Sequence, residues 1–135
     1  MAPCCAADER RFPWGNEWKE DTANCAATGL QHVVAVGLFP AGHSPYGLWD
    51  MSGNISEHCQ DIFGPYRVST EENPPGCADA PEAVVRGGSF ASPPLDVRVT
   101  YRFGLPRDVQ DEHVGFRCVA VPGMDIRPEG SYGPG

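Results

Sequence analysis

Apolar residues in this chain come in short patches separated by turn residues, not in long stretches of helical period. The run Val33-Val34-Ala35-Val36-Gly37-Leu38-Phe39 is strand-sized, is closed by Pro40-Ala41-Gly42, and predicts a buried strand. A second strand is predicted from Ile55 to Ile62, after the turn Asp50-Met51-Ser52-Gly53-Asn54. A third, Ala83-Val84-Val85-Arg86, runs into Gly87-Gly88-Ser89-Phe90, and Val114 to Val121 reads as a closing strand. Arg11-Phe12-Pro13-Trp14-Gly15-Asn16 forms a rigid aromatic turn. Residues Gly64 to Pro81, rich in proline, predict a long irregular loop, and Asp96 to Phe103 is the best candidate for a short helix. The tail 122–135 is expected to be flexible.

Composition sharpens this picture. Sixteen glycines and fourteen prolines in 135 residues do not make long helices, because one residue frees the backbone and the other locks it. Three Trp, four Tyr and six Phe are too many aromatics for a disordered segment. The length suits one domain. A net charge of −8 without a Lys/Arg cluster argues against nucleic acid as a partner. No apolar run approaches the ~18–20 residues of a membrane span, and the start shows no basic-then-apolar secretory pattern. Six cysteines without CxxC spacing give little support to structural zinc.

In order along the chain stand Phe12-Pro-Trp-Gly-Asn16, Ala23-Asn24-Cys25, Phe39-Pro40, Tyr46-Gly-Leu-Trp-Asp-Met-Ser-Gly-Asn54, Val85-Arg-Gly-Gly-Ser-Phe90, Arg98, Tyr101-Arg102 and Gly115-Phe-Arg-Cys118. This series resembles the formylglycine-generating enzyme (sulfatase-modifying factor) family. The resemblance implies an α+β, C-type-lectin-like fold over residues 10–121, loop-rich, with short antiparallel strands and little helix. It covers the later half of the family's domain, the part before the Phe-Pro-Trp-Gly turn being missing or reduced to Met1–Glu9.

The resemblance also implies cofactors. Calcium is expected at the Asp50 turn, held by the carboxylates of Asp50 and Glu57 and the carbonyls of Gly53 and Ile55, an all-oxygen set suited to a hard cation. The alternative for Asp50 and Glu57 is a pair of loop carboxylates satisfied by backbone N–H groups. A weaker second set is Asn24, the Cys25 carbonyl, Thr28 and the Leu30 carbonyl, with Thr28 where a carboxylate would serve better. The catalytic members bind copper through two cysteines after the Gly-Gly-Ser-aromatic motif. Here those positions are Ser92 and Val97, neither of which supplies a soft thiolate, so no copper is expected. The related iron-dependent sulfoxide synthases need a His set that His32, His43, His58 and His113 do not reproduce.

Other residues have structural readings first. Arg98, Arg102 and Arg117 read as donors to loop carbonyls, with a substrate-carboxylate clamp as the alternative. Trp14, Trp18, Trp49, Phe39, Phe90 and Phe116 read as core. Ser89 with His58 or His113 has no spacing that supports a nucleophile and base. The sequon Asn54-Ile55-Ser56 overlaps the calcium turn and is expected to stay unmodified. Cys59 could pair with Cys77, and Cys4 or Cys5 with Cys118, where the family has a similar bridge.

In lectin-like relatives diversified by retroelements, the segment between the Gly-Gly-Ser-aromatic strand and the closing strand is a hypervariable binding face. By resemblance, Ala91, Ser92, Leu95, Asp96, Tyr101, Phe103, Leu105, Val109, Asp111, Glu112 and His113 would form that face here. The expected function is non-catalytic binding of a protein or peptide. The alternatives are a formylglycine-generating oxidase and an accessory structural domain of a kinase or envelope complex.

Overall fold

The computed structural model describes residues 9–65, 81–120 and 122–123. Among these residues, four strands form one sheet: β1 (Ser56–Ile62), β2 (Glu82–Arg86), β3 (Arg102–Pro106) and β4 (Val114–Gly115), in the order β3-β2-β1-β4. β1 and β3 both pair antiparallel with β2, whereas β4 runs parallel to β1. The sheet is therefore mixed, where only antiparallel strands are expected from the sequence. The helical content described is three short 3-10 turns, Ala26–Thr28, Pro40–Gly42 and Pro94–Val97.

Register separates two faces. Phe103 pairs with Val85 and Val85 with His58, while Ser56 pairs with Val114, so these side chains share one face with Leu105. The other face carries Glu57, Arg86 and Arg102, which are likewise in register. Ala83, Val84 and Val85 are buried at the sheet's centre. A second core cluster joins Phe12, Cys25 and Val97, with Trp14 and Trp18 packed against it. Phe12 and Trp14 stack with centroids 5.2 Å apart, and Trp18 meets both edge-on.

Asn54 knits the loops to this frame. Its backbone N–H donates to Asn24 O at 2.7 Å, and its carbonyl accepts from Phe90 N at 3.0 Å. Neighbouring Gly53 donates to Gly87 O at 2.7 Å, at φ 80°, and a Cβ there would overlap the Asn24 carbonyl. The Asn54 side chain accepts from Val34 N at 2.9 Å and donates to Val34 O at 3.1 Å. One carboxamide thus satisfies both backbone groups of Val34.

That arrangement corrects the strand expected at Val33–Phe39. The segment has no strand partner among the described residues, Val33, Val36 and Leu38 are exposed, and of its larger side chains Phe39 alone is buried. Three further expectations are corrected. Asp96–Phe103 is not a helix: it opens on the 3-10 turn Pro94–Val97 and ends in β3, because pairing with β2 satisfies more backbone than an isolated turn of helix would. The closing strand stops at Gly115, since Arg117 is drawn to Glu57 and to the carbonyls of Trp49 and Asp50. Trp49 and Phe116 are not core; Phe116 is 77 % exposed. The loop over 66–80, nearly all of the tail 122–135, and Cys4, Cys5 and Cys77 lie outside the described residues.

Candidate functional site

Above the Ser56–Phe103 face of the sheet lies a cavity of about 360 Å³, open to solvent. Its lining combines Ser56 and Val114 from the paired strands β1 and β4, Phe103 and Leu105 from β3, and Tyr101 just before it. Ser89 and Ser92 enter from the Gly-Gly-Ser turn, and Asp111 and His113 from the loop before β4. Gly88 makes this turn possible. It sits at φ 68°, and a Cβ there would stand 2.7 Å from Val97 Cγ1.

Ser92 Oγ accepts the Ser89 N–H at 2.9 Å, and the two hydroxyls are 3.4 Å apart. Asp111 Oδ1 accepts from the backbone N–H of His113 at 2.8 Å and lies 2.7 Å from its ring Nδ1. Those hydrogen bonds, the backbone one foremost, hold the Asp111 carboxyl below its ordinary range, so it is a carboxylate at neutral pH. The His113 ring stacks on Phe90, with centroids 4.8 Å apart. Burial raises the Tyr101 phenol, and the neighbouring Asp96 carboxylate, which accepts its hydrogen bond, raises it further.

Of the face expected from the sequence, Ser92, Tyr101, Phe103, Leu105, Asp111 and His113 come together in this cavity. Ala91, Leu95, Asp96, Val109 and Glu112 do not line it; Leu95 is 64 % exposed. Ser89, from the Gly-Gly-Ser motif, joins them, as do Ser56 and Val114, which no part of the expected face included. The signal for Ser56 and Val114 is strand pairing, which brings residues 58 positions apart side by side, and no local motif announces it.

The expected calcium donors are placed as follows. Both Glu57 oxygens accept from Arg117, at 2.6–2.8 Å, and the same guanidinium reaches the Trp49 and Asp50 carbonyls at 3.0 Å. Asp50 Oδ2 accepts from Gly37 N at 2.8 Å, and the Gly53 carbonyl from Ile55 N at 3.0 Å. The Glu57 carboxylate is thus paired with an arginine, whereas the Asp50 carboxylate is held by a backbone N–H. In the second set, the Cys25 carbonyl accepts from Thr28 N, Leu30 O lies 2.6 Å from His32 Nδ1, and Thr28 Oγ1 donates to Ala23 O. Asn24 Oδ1, in contrast, is a buried oxygen with no hydrogen-bond partner, while its Nδ2 donates to His32 O and Asn54 Oδ1. That orphaned oxygen suits a cation or a water, although no carboxylate accompanies it. Among the described residues, no group of three or more His, Cys, Asp or Glu gathers as a metal site.

At the copper positions, Ser92 is engaged with the Ser89 turn and Val97 is fully buried in the core. Arg98, Arg102 and Arg117 all donate to backbone carbonyls, those of Leu95, Gly64, Trp49 and Asp50. Asn54 is 4 % exposed with its Nδ2 committed to Val34, so the sequon is shut. Cys25, Cys59 and Cys118 are free thiols, and the partners suggested for the last two lie outside the described residues. No helix among the described residues is long and apolar enough to cross a membrane.

The chain is 34% identical over 122 residues to the serine/threonine-protein kinase pkn1 of Chlamydia caviae, covering 87% of this chain and 19% of that protein. It is 32% identical over 146 residues to the formylglycine-generating enzyme of Thermomonospora curvata, covering 90% of this chain and 46% of that protein. It therefore spans less than half the length of these relatives. The fold is similar to that of Treponema denticola variable protein 1, with a TM-score of 0.65 at 24% identity over 78% of this chain and 39% of that one. The little-helix, short-strand architecture is accordingly the C-type-lectin-like one. Residues 2–121 match the family model described as the sulfatase-modifying factor enzyme 1-like domain, and the chain belongs to that family.

Proposed function

We propose that this chain is a non-catalytic binding domain that holds a protein or peptide segment in the cavity above its sheet. One observation carries the reading: Ser92, Tyr101, Phe103, Leu105, Asp111 and His113, spread over 22 sequence positions, line one open cavity. Tyr101, Phe103 and Leu105 are half-buried, so they are available as contacts without being core. The loss of thiols at Ser92 and Val97 supports the absence of copper chemistry. Likeness of fold to a variable protein supports a face that tolerates substitution. Similarity to a segment of a kinase favours a second reading, that the domain serves as an accessory module in a larger protein. Calcium at the orphaned Asn24 oxygen belongs to the same proposal as a structural ion.

The test combines Tyr101→Ser, Phe103→Ser and Leu105→Ser in one variant. Melting within ~10 °C of the parent, with loss of a peptide selected on the parent, is the expected result. A larger fall would make these residues core and remove the binding reading. Copper-dependent turnover of a sulfatase-type cysteine peptide would restore the oxidase reading.

A further inference from the structure

The cavity's walls say more about its ligand than that one binds. Tyr101 and Phe103 stand with ring centroids 6.2 Å apart and planes tilted by 47°, and Leu105 and Val114 extend this apolar surface. At its edge stands the Asp111 carboxylate, whose side chain is 42% exposed. Both bonds from His113 fall on Oδ1, so Oδ2 is the oxygen available to an incoming group. Among the described residues that line it there is no Lys or Arg. Sheet register accounts for this: Arg86 and Arg102 project from the opposite face, where Arg117 also meets Glu57.

The charged groups around the rim point the same way. Asp96 lies against the Tyr101 phenol, and Asp108 and Glu112 flank Asp111 in sequence. Among the described residues, Arg98 donates to Leu95 O and Arg107 to Gln60 O. His58 shares the sheet face with the lining residues. The chain as a whole carries −8. An aromatic wall with one carboxylate at its end, in a negatively charged protein, matches an aliphatic stem that ends in a cation. The stem packs on the rings, the cation gains from their faces, and the carboxylate pairs with it where water is partly excluded.

Building on the binding reading above, we infer that the cavity takes a basic side chain, lysine or arginine, of a peptide, with Tyr101 and Phe103 against the stem and Asp111 against the charge. The volume of about 360 Å³ admits one such side chain and its flanking backbone.

The experiment uses the full chain and four capped peptides of one glycine-serine frame, with Lys, Arg, Glu or Leu at the centre. Amide NMR shifts are followed at 50 and 500 mM NaCl. The Lys and Arg peptides are expected to shift the amides of Ser92, Tyr101, His113 and Val114. Their affinity should fall at least threefold at high salt, and at least fivefold in Asp111→Asn, a variant that keeps an acceptor for His113 and whose folding its amide spectrum and melting curve establish. If the Leu or Glu peptide binds these amides as well as the Lys peptide does, the basic-ligand inference is overturned while the cavity reading stands. If none of the four moves them and a peptide selected on the parent binds elsewhere, both fail. Undiminished affinity in Asp111→Asn would overturn the assigned role of Asp111.

Discussion

Asn54→Ala is the substitution whose consequence this structure determines most fully. The side chain accepts from Val34 N–H at 2.9 Å and from Asn24 Nδ2 at 3.1 Å, and donates to Val34 O at 3.1 Å. Alanine removes all three bonds. Val34 is half-buried, so water reaches its backbone in part, whereas Asn24 is 1 % exposed and keeps its bond to His32 O. Each bond lost is worth about 1 kcal/mol where water can substitute, and up to about 3 kcal/mol where it cannot. Asn54 also sits at φ 69°, in the left-handed region, where alanine costs about 1 kcal/mol more than asparagine or glycine. The sum is about 4 kcal/mol, a large share of the 5–15 kcal/mol typical of a domain. At this size that lowers the melting temperature by roughly 10–20 °C. Urea unfolding gives the free energy, and hydrogen exchange at the Val34 amide reports the local loss. Asn54→Gly separates the terms, since it deletes the same bonds without the φ cost and should recover about 1 kcal/mol. An alanine variant within 1 kcal/mol of the parent, or an unchanged Val34 exchange rate, would refute the view that this side chain replaces a strand partner.

Further outcomes follow from other sites. Arg117→Lys keeps a charge but loses the simultaneous contacts to Glu57, Trp49 O and Asp50 O; a loss of about 1 kcal/mol is expected in urea unfolding, and no loss would mean that these bonds count for little. Alkylation of the native protein followed by peptide mass mapping should find, among the three described cysteines, exposed Cys118 reacting first and buried Cys25 last. Cys59 falls between them, its thiol pKa raised chiefly by burial. Because the folded Asp111 pKa is depressed, its stabilising bonds are present above the ordinary aspartate range and are lost as pH falls through the lower folded value; carboxyl NMR titration should show the midpoint below 3.8. If the orphaned Asn24 oxygen holds calcium, millimolar calcium raises the melting temperature by several degrees over EDTA, and equal melting curves would end that proposal.

Strand β2 was legible in the sequence as a short apolar run that ends at Gly87-Gly88, and β1 as the segment that follows the turn Asp50–Asn54. The aromatic turn at Arg11–Asn16 was legible too, since Pro13 fixes its φ and Gly15 can take the φ of 138° that the turn requires. So was the family, from motifs whose order survives any error in local structure. What the sequence could not decide was which backbone groups pair across long gaps. Val33–Phe39 has strand composition, but its central pairing partner is a carboxamide 20 residues away, which leaves its apolar side chains outside. Arg102–Pro106 has no strong strand signal, and the waiting edge of β2 makes it one. The cavity belongs to the same class of fact. Resemblance nominated residues from one continuous segment, whereas the cavity gathers six of them, without Ala91, Leu95, Asp96, Val109 or Glu112, and adds Ser56 through its register with Val114. Local composition sets what a segment can do; hydrogen-bond pairing between distant segments, which local composition does not encode, chooses among those options.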